Sequence, residues 1–254
     1  AKDHKLTLNK FSGYNSSDFF SNFKGYTPET TLNRSIVFFP SYTPSSVDWR
    51  NSSIVGPVKD QQQCGSCWAF SAVSALESQV MKVLDQSVSL SEQDIVDCVK
   101  NIPSPDGTLL CCDGCEGGEM YSVYQYLTNH QGGSDNTESQ YPYLAVDGSC
   151  KYKKSLVSNV VLKDYIVLPS KDEDALEKAV FNVGPISVGV DANIDWQLYK
   201  TGIYDPENSP NGCSSDMDEQ DHGVVVVGYG TENDKSYWVI RNSWNTNWGE
   251  QGYM

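Results

Sequence analysis

No run of apolar residues in this chain approaches the roughly 18 to 20 that a bilayer span requires. The longest, around Val224 to Val227, is far shorter. Positive charge is also in short supply: 18 basic against 33 acidic side chains give a net charge of −15. Such a surface repels nucleic acid and anionic lipid, so neither is expected as a partner. Histidine is scarcer still, with three in 254 residues. There is no internal repeat and no low-complexity tract. The polar opening from Ala1 lacks the charged and apolar regions of a signal peptide, so any such leader is expected upstream. What is present suffices for a sizeable core in one or two domains, with 39% hydrophobic residues.

Cysteine is plentiful by contrast. Eight cysteines at irregular spacing, together with Asn-x-Ser sequons at Asn15, Asn33 and Asn51, favour an oxidising, glycosylating route through the secretory pathway.

Along the chain, residues 1–42 hold two aromatic clusters, Phe19 to Phe23 and Phe38 to Phe39, around a turn-rich Gly25-Tyr26-Thr27-Pro28. This composition predicts a segment that packs on something else. Ala69, Val73, Leu76 and Val80 recur at helical spacings and predict an amphipathic helix whose first turn holds Cys67, with Gly65-Ser66 as loop and N-cap. Residues 101–118, rich in Pro, Gly, Asp and Cys, read as a disulfide-held loop. Further helices are expected over 119–127 and 172–182. The Val-, Ile- and Tyr-rich runs 158–167, 185–190, 223–229 and 237–240 predict strands. A helical half followed by a strand-rich half points to an α+β molecule with a cleft between them.

Cys64-Gly65-Ser66-Cys67 admits three chemistries. As half of a zinc site it would pair with Cys112-x-x-Cys115, but the 44 residues between the pairs far exceed the usual 15 to 20. As a redox centre it lacks the apolar strand that should precede it, since Val58 to Gln63 is polar. The third reading makes Cys67 a nucleophile beside a structural cysteine. A base for it must come from three histidines: His4 and His130 lie in polar surroundings, whereas His222 abuts the apolar run 223–228. A lone histidine at a strand start is more often structural, and it is the pairing with an activated cysteine that changes the reading.

The segment Gln61-Gln62-Gln63-Cys64-Gly65-Ser66-Cys67-Trp68-Ala69-Phe70-Ser71 resembles the nucleophile segment of papain and cathepsin L. Asp221-His222-Gly223 with the run to Gly230 resembles the family's histidine strand. Asn242-Ser243-Trp244 with Trp248 to Tyr253 resembles its asparagine segment. The three blocks stand in the family order, and the likeness runs from about Val47 to the last residue. It implies the papain-like two-lobed fold, α+β, with a helical lobe at about 52–155 and a β-rich, barrel-like lobe at about 156–254.

The resemblance implies covalent peptide hydrolysis by an endopeptidase, with no cofactor and no metal. Cys67 would attack as a thiolate, favoured by its helix N-terminus and by an ion pair with His222. Asn242 would orient the imidazole and Trp244 would shield that hydrogen bond. The Cys67 amide and the Gln61 side chain would bind the oxyanion. The family pairing joins Cys64 to Cys115 and Cys98 to Cys150. Cys111, Cys112 and Cys213 are left over, the family partner of Cys213 falling beyond Met254. Met120, Gly189, Gln220 and Gly223 would surround the pocket for the second residue before the scissile bond, with Gly118 alongside as backbone. A wide apolar pocket should take Leu, Phe or Val.

Upstream, Asn9-Lys10-Phe11 resembles the Asn-x-Phe core of the family's prosegment motif, although Thr7 and Gly13 stand where glycine and aspartate are usual. Residues 1–42 would then be the C-terminal part of an inhibitory prosegment on a peptidase domain at 43–254, both ends of the chain being truncated. The expectation is a zymogen, activated at acidic pH by a cut between about Phe39 and Ser46. Its partners would be protein and peptide substrates, its own prosegment and cystatin-like inhibitors. It would act as a monomer in a lysosome or vacuole, or after secretion. A catalytically inactive binding or storage homologue is the alternative, against which the intact Cys67, His222, Asn242 and Gln61 argue. No histidine occurs in the 101–110 insertion to occlude the cleft as an exopeptidase would need.

Overall fold

The computed structural model describes residues 4–12, 19, 22–26, 39–103, 110–154, 160–209 and 211–254. The sequons at Asn15 and Asn33, Gly13 and Phe38 lie outside these; Asn51 is exposed.

The periodic stretch after Ser66 forms the long helix α1 (Cys67–Leu84), which ends where Asp85 adopts a left-handed conformation. Its inward stripe, Ala69, Val73, Leu76 and Val80, is buried with Trp68, Leu90, Ile95 and Leu127. Each fully buried large side chain contributes about 1.5–3 kcal/mol. Ser66 takes the N-cap position but makes no side-chain cap bond. Its hydroxyl instead bonds Tyr143 Oη at 2.6 Å, so the expected N-cap position is kept while the side chain makes a tertiary contact. Helices α2 (Glu92–Cys98) and α3 (Met120–His130) complete the helical half. Ser91 caps α2 by accepting from the Asp94 amide at 2.9 Å.

In the second half, α4 (Glu173–Asn182) starts at Asp172, which accepts from the Ala175 amide at 2.9 Å. A short α5 (Ile194–Leu198) follows. The main sheet is built around the longest strand, β7 (His222–Glu232), paired antiparallel with β2 (Val47–Asp48), β5 (Ile186–Val190) and β8 (Lys235–Arg241). Two small ribbons pair β1 (Lys5–Leu6) with β6 (Tyr199–Thr201) and β3 (Lys100–Pro103) with β4 (Leu110–Asp113). The expected strand over 158–167 does not form among its described residues, 160–167. The chain there crosses from one half to the other, held by the Leu162 amide on Gly133 O at 2.6 Å. The 101–118 stretch is partly a hairpin rather than a plain loop.

Helix α1 is the seam between halves. Ser71 Oγ donates to Val224 O of β7 at 2.7 Å, and Ser187 Oγ of β5 donates to Ser71 O at 2.9 Å. Disulfides join Cys64 to Cys115 and Cys98 to Cys150, closing sequence separations of 51 and 52. Chain entropy makes each worth about 4 kcal/mol. Cys111 and Cys112 are joined to each other, and Cys67 and Cys213 are free thiols.

Two buried polar clusters support the helical half. The Lys59 ammonium donates to Glu77 at 2.8 Å, Glu92 at 2.6 Å and Leu90 O at 3.0 Å. Burial opposes its charge, but the two carboxylates hold it above the usual lysine range. Nearby, the Asp135 carboxyl is wholly buried and finds no hydrogen-bond donor. Burial and the charge of Asp94 hold it well above the usual carboxylate range. Asp94 accepts from Gln131 Nε2 and the Asn136 amide, so the pair is best satisfied when Asp135 keeps its proton and donates to Asp94.

The N-terminal segment lies on this body. After β1, the Asn9 side chain accepts from the Phe11 amide at 2.9 Å and donates to Gln197 O at 2.8 Å. Phe11, Phe19 and Phe23 are buried around Trp244 and Trp248.

Candidate active site

Cys67 is the first residue of α1 and His222 the first of β7, so the seam between halves places them together. Both are wholly buried. The amide of Gly223 donates to Cys67 Sγ at 3.3 Å, which ties the start of β7 to the sulfur. Asn242 lies just after β8, whose pairing with β7 brings it back to the ring. Its Oδ1 contacts His222 Nε2 at 2.8 Å and also accepts from the Ser243 amide at 2.8 Å. That second bond fixes the carboxamide with its oxygen toward the ring, so Nε2 carries the proton and Nδ1 is the basic nitrogen. Among the described residues Nδ1 has no hydrogen-bond partner. Trp244 stacks on the imidazole with centroids 4.6 Å apart, and Trp196 meets its edge at 6.3 Å.

Gln61 is also wholly buried. Its Nε2 donates to Cys64 O at 2.9 Å and to Phe23 O at 3.1 Å, and its Oε1 accepts from Ser243 Oγ at 2.6 Å. Tyr143 Oη donates to Gln61 O at 2.8 Å. Sequence reasoning missed Ser243 and Tyr143 as supports of this amide. Ser243 stood inside the asparagine block, whereas Tyr143 carried no signal in the sequence.

The cleft is filled by residues 23–26. Gly25 and Tyr26 donate their amides to Asp221 O at 3.2 and 3.1 Å, and Gly118 N donates to Gly25 O at 2.7 Å. Tyr26 and Gly118 form a parallel bridge. Gly25, at φ +147°, passes so near the catalytic loop that a Cβ would lie 1.9 Å from Gly65 O. The Tyr26 ring enters a cavity of about 280 Å³ lined by Met120, Gly189, Gln220, Tyr124 and Tyr165. Gly223 stands between this pocket and the dyad, where a Cβ would lie 3.2 Å from both Met120 Sδ and Cys67 O, and Trp244 stacks on His222. The lining is less apolar than expected, since Glu119 also borders it.

This covering sets the electrostatics. Burial pushes the Cys67 thiol up to about 12, with the Gly223 amide opposing the rise. Burial drives the His222 imidazole down to about 3 against the Asn242 hydrogen bond. The ion pair expected from sequence is therefore disfavoured in the covered cleft. In the covered cleft each group taken singly is pushed toward its neutral form, because burial removes the water that would solvate its charge.

Residues 43–254 match the pattern of the papain family cysteine protease. The chain belongs to the papain family of cysteine proteases. It is 42% identical to digestive cysteine proteinase 3 of Homarus americanus, covering 98% of this chain and 73% of that one. It is 49% identical to cathepsin L2 of Homo sapiens, over 83% of this chain and 60% of the other. The structure of digestive procathepsin L 3 from Tenebrio molitor larval midgut superposes with a TM-score of 0.81 at 35% identity, spanning 98% of this chain and 76% of that chain. The papain-like protein is a cysteine endopeptidase made as a zymogen.

Proposed function

We propose that Cys67 is the nucleophile, His222 its acid-base partner, Asn242 the group that orients the ring, and Gln61 with the Cys67 amide the oxyanion hole. The observation that carries this is the His222 ring: Nε2 is fixed on Asn242 Oδ1 at 2.8 Å, leaving an unpaired, buried Nδ1 on the residue whose neighbour's amide contacts the thiol. Cys67 Sγ gives its proton to Nδ1 and attacks the scissile carbonyl carbon. The carbonyl oxygen becomes the oxyanion, held where Gln61 Nε2 now holds Phe23 O. Collapse breaks the C–N bond, the imidazolium protonates the leaving amine, and water delivered through the same nitrogen hydrolyses the thioester.

Residues 1–42 form the C-terminal part of the prosegment and 43–254 the peptidase domain, with a helical lobe over about 52–155 and a β-rich lobe over about 156–254. Gly118, Met120, Gly189 and Gln220 line the cleft for an extended substrate, with Gly223 and Trp244 beside the dyad. The enzyme acts as a monomer, in a lysosome or vacuole or after secretion, and cystatin-like proteins fit the same cleft. The test is hydrolysis of a dipeptidyl fluorogenic substrate after prosegment removal, with and without a thiol-directed epoxide. Epoxide labelling at a residue other than Cys67 would overturn the assignment.

A further inference from the structure

The two donors proposed for the oxyanion stand at the ends of one loop. Gln61 carries one on its side chain and Cys67 the other on its main chain, with residues 62–66 between them. The loop bends sharply at its start, where Gln62 stands at φ +54°. That left-handed conformation costs a residue with a Cβ about 1 kcal/mol or more, so it persists only where the surroundings hold it. The peptide unit between Gln61 and Gln62 is held from both sides: the Gln62 amide donates to Asp60 Oδ1 at 3.0 Å, and Gln61 O accepts from Tyr143 Oη at 2.8 Å.

Tyr143 reaches the other end of the loop as well, because the same oxygen meets Ser66 Oγ at 2.6 Å. A carbonyl can only accept, so the tyrosine proton is committed to Gln61 O and the Ser66 hydroxyl is the donor to Tyr143. The result is a directed chain, from Ser66 Oγ to Tyr143 Oη to Gln61 O. It spans the loop from the residue before Cys67 to the residue that bears the other donor. Ser66 is wholly buried and uses its hydroxyl here instead of capping α1. The tyrosine is itself fixed: its amide donates to Glu138 Oε1 at 2.9 Å, and its ring stands edge-to-face on Phe70 with centroids 4.8 Å apart. Burial raises the phenol above the usual tyrosine range, which keeps on the oxygen the proton that Gln61 O receives.

Tyr143 has no part in the bond-making steps proposed above. We infer that it is a positioning residue whose hydroxyl clamps the loop 61–66, and so sets the spacing between the Gln61 side-chain amide and the Cys67 amide for the developing oxyanion. The inference deepens the catalytic reading proposed above and rests on it. Stabilisation of this kind needs donors already standing where charge develops, and a displacement of about 1 Å forfeits much of it.

The experiment uses the activated enzyme and a dipeptidyl amide substrate. Tyr143→Phe keeps the ring against Phe70 and removes only the hydroxyl. It should lower kcat about tenfold, with KM changed less than about twofold. Ser66→Ala removes the first link and leaves the bond to Gln61 O, so its loss should have the same form and be smaller, about threefold. Alkylation of Cys67 by iodoacetamide, which develops no oxyanion, should proceed at the wild-type rate in both variants. In a Gln61→Ala background, Tyr143→Phe should cost about threefold or less, because the two changes damage one element. An unchanged kcat in Tyr143→Phe, a parallel fall in its alkylation rate, or losses that multiply with Gln61→Ala overturns the inference while leaving the catalytic reading standing. Should Tyr143→Phe fail to fold, Ser66→Ala is read against the same three outcomes. Wild-type kcat in Gln61→Ala overturns the oxyanion assignment, and this inference with it.

Discussion

The side-chain amide of Gln61 donates to the main-chain oxygen of Phe23 at 3.1 Å, so a carbonyl of the proposed prosegment sits at the proposed oxyanion site. Gln61→Ala should lower kcat of the activated enzyme by about 10²- to 10³-fold. It should also speed prosegment release, because one of the bonds holding Phe23 is lost. Single-turnover kinetics and the rate of zymogen processing check the two effects separately. Unchanged kcat would remove Gln61 from the oxyanion hole.

Cys67→Ala should abolish hydrolysis while leaving the fold intact, since α1 is held by Ala69, Val73, Leu76 and Val80 rather than by the thiol. His222→Ala should be almost as severe. Asn242→Ala should be milder, since it orients the ring without exchanging protons. Equal losses at His222 and Asn242 would contradict that division, and circular dichroism distinguishes lost chemistry from lost fold.

Activation should leave a new N-terminus between Phe39 and Ser46. Residues 40–42 are exposed, whereas Tyr229 Oη donates to Pro44 O at 3.2 Å, Val47 pairs in the main sheet and Trp49 Nε1 donates to Val180 O at 2.8 Å. N-terminal sequencing of the product is the check, and a start beyond Trp49 would contradict it.

Stability should decline as the medium moves from acid toward neutral pH. Asp135 has a native-state pKa raised by burial; its contribution is fully present below the ordinary carboxylate range and is lost as pH rises through the raised value. Glu92, raised by burial to about 7, acts with the same sign. Calorimetry of wild type and Asp135→Asn across pH 4 to 8 should show a flatter profile in the variant. Parallel profiles would assign the effect elsewhere.

Much of this was legible in the sequence because the informative residues cluster in three short blocks. The helix carrying Cys67 announced itself through the spacing of four apolar residues, and β5, β7 and β8 through their β-branched runs. The crossing at 160–167 has the same composition as a strand, but its partners are single backbone contacts such as Leu162 to Gly133, which no local pattern records. Ser66 stands at the N-cap, but the partner that takes its hydroxyl, Tyr143, lies 77 residues away and leaves no local pattern. The effect of burial on Cys67 and His222 was invisible for a related reason. The charges on Cys67 and His222 depend on whether residues 23–26 cover them, and a motif carries no information about burial.

Gly189 joins two properties that a genome could otherwise alter one at a time. A Cβ there would stand 2.2 Å from the Tyr26 ring, and the same missing side chain gives the proposed substrate pocket its width. An alanine in its place would narrow the diet of the enzyme and loosen its own restraint in one step. A lineage changing what this protease digests through Gly189 would then have to reshape Tyr26 as well, or accept an enzyme that wakes early.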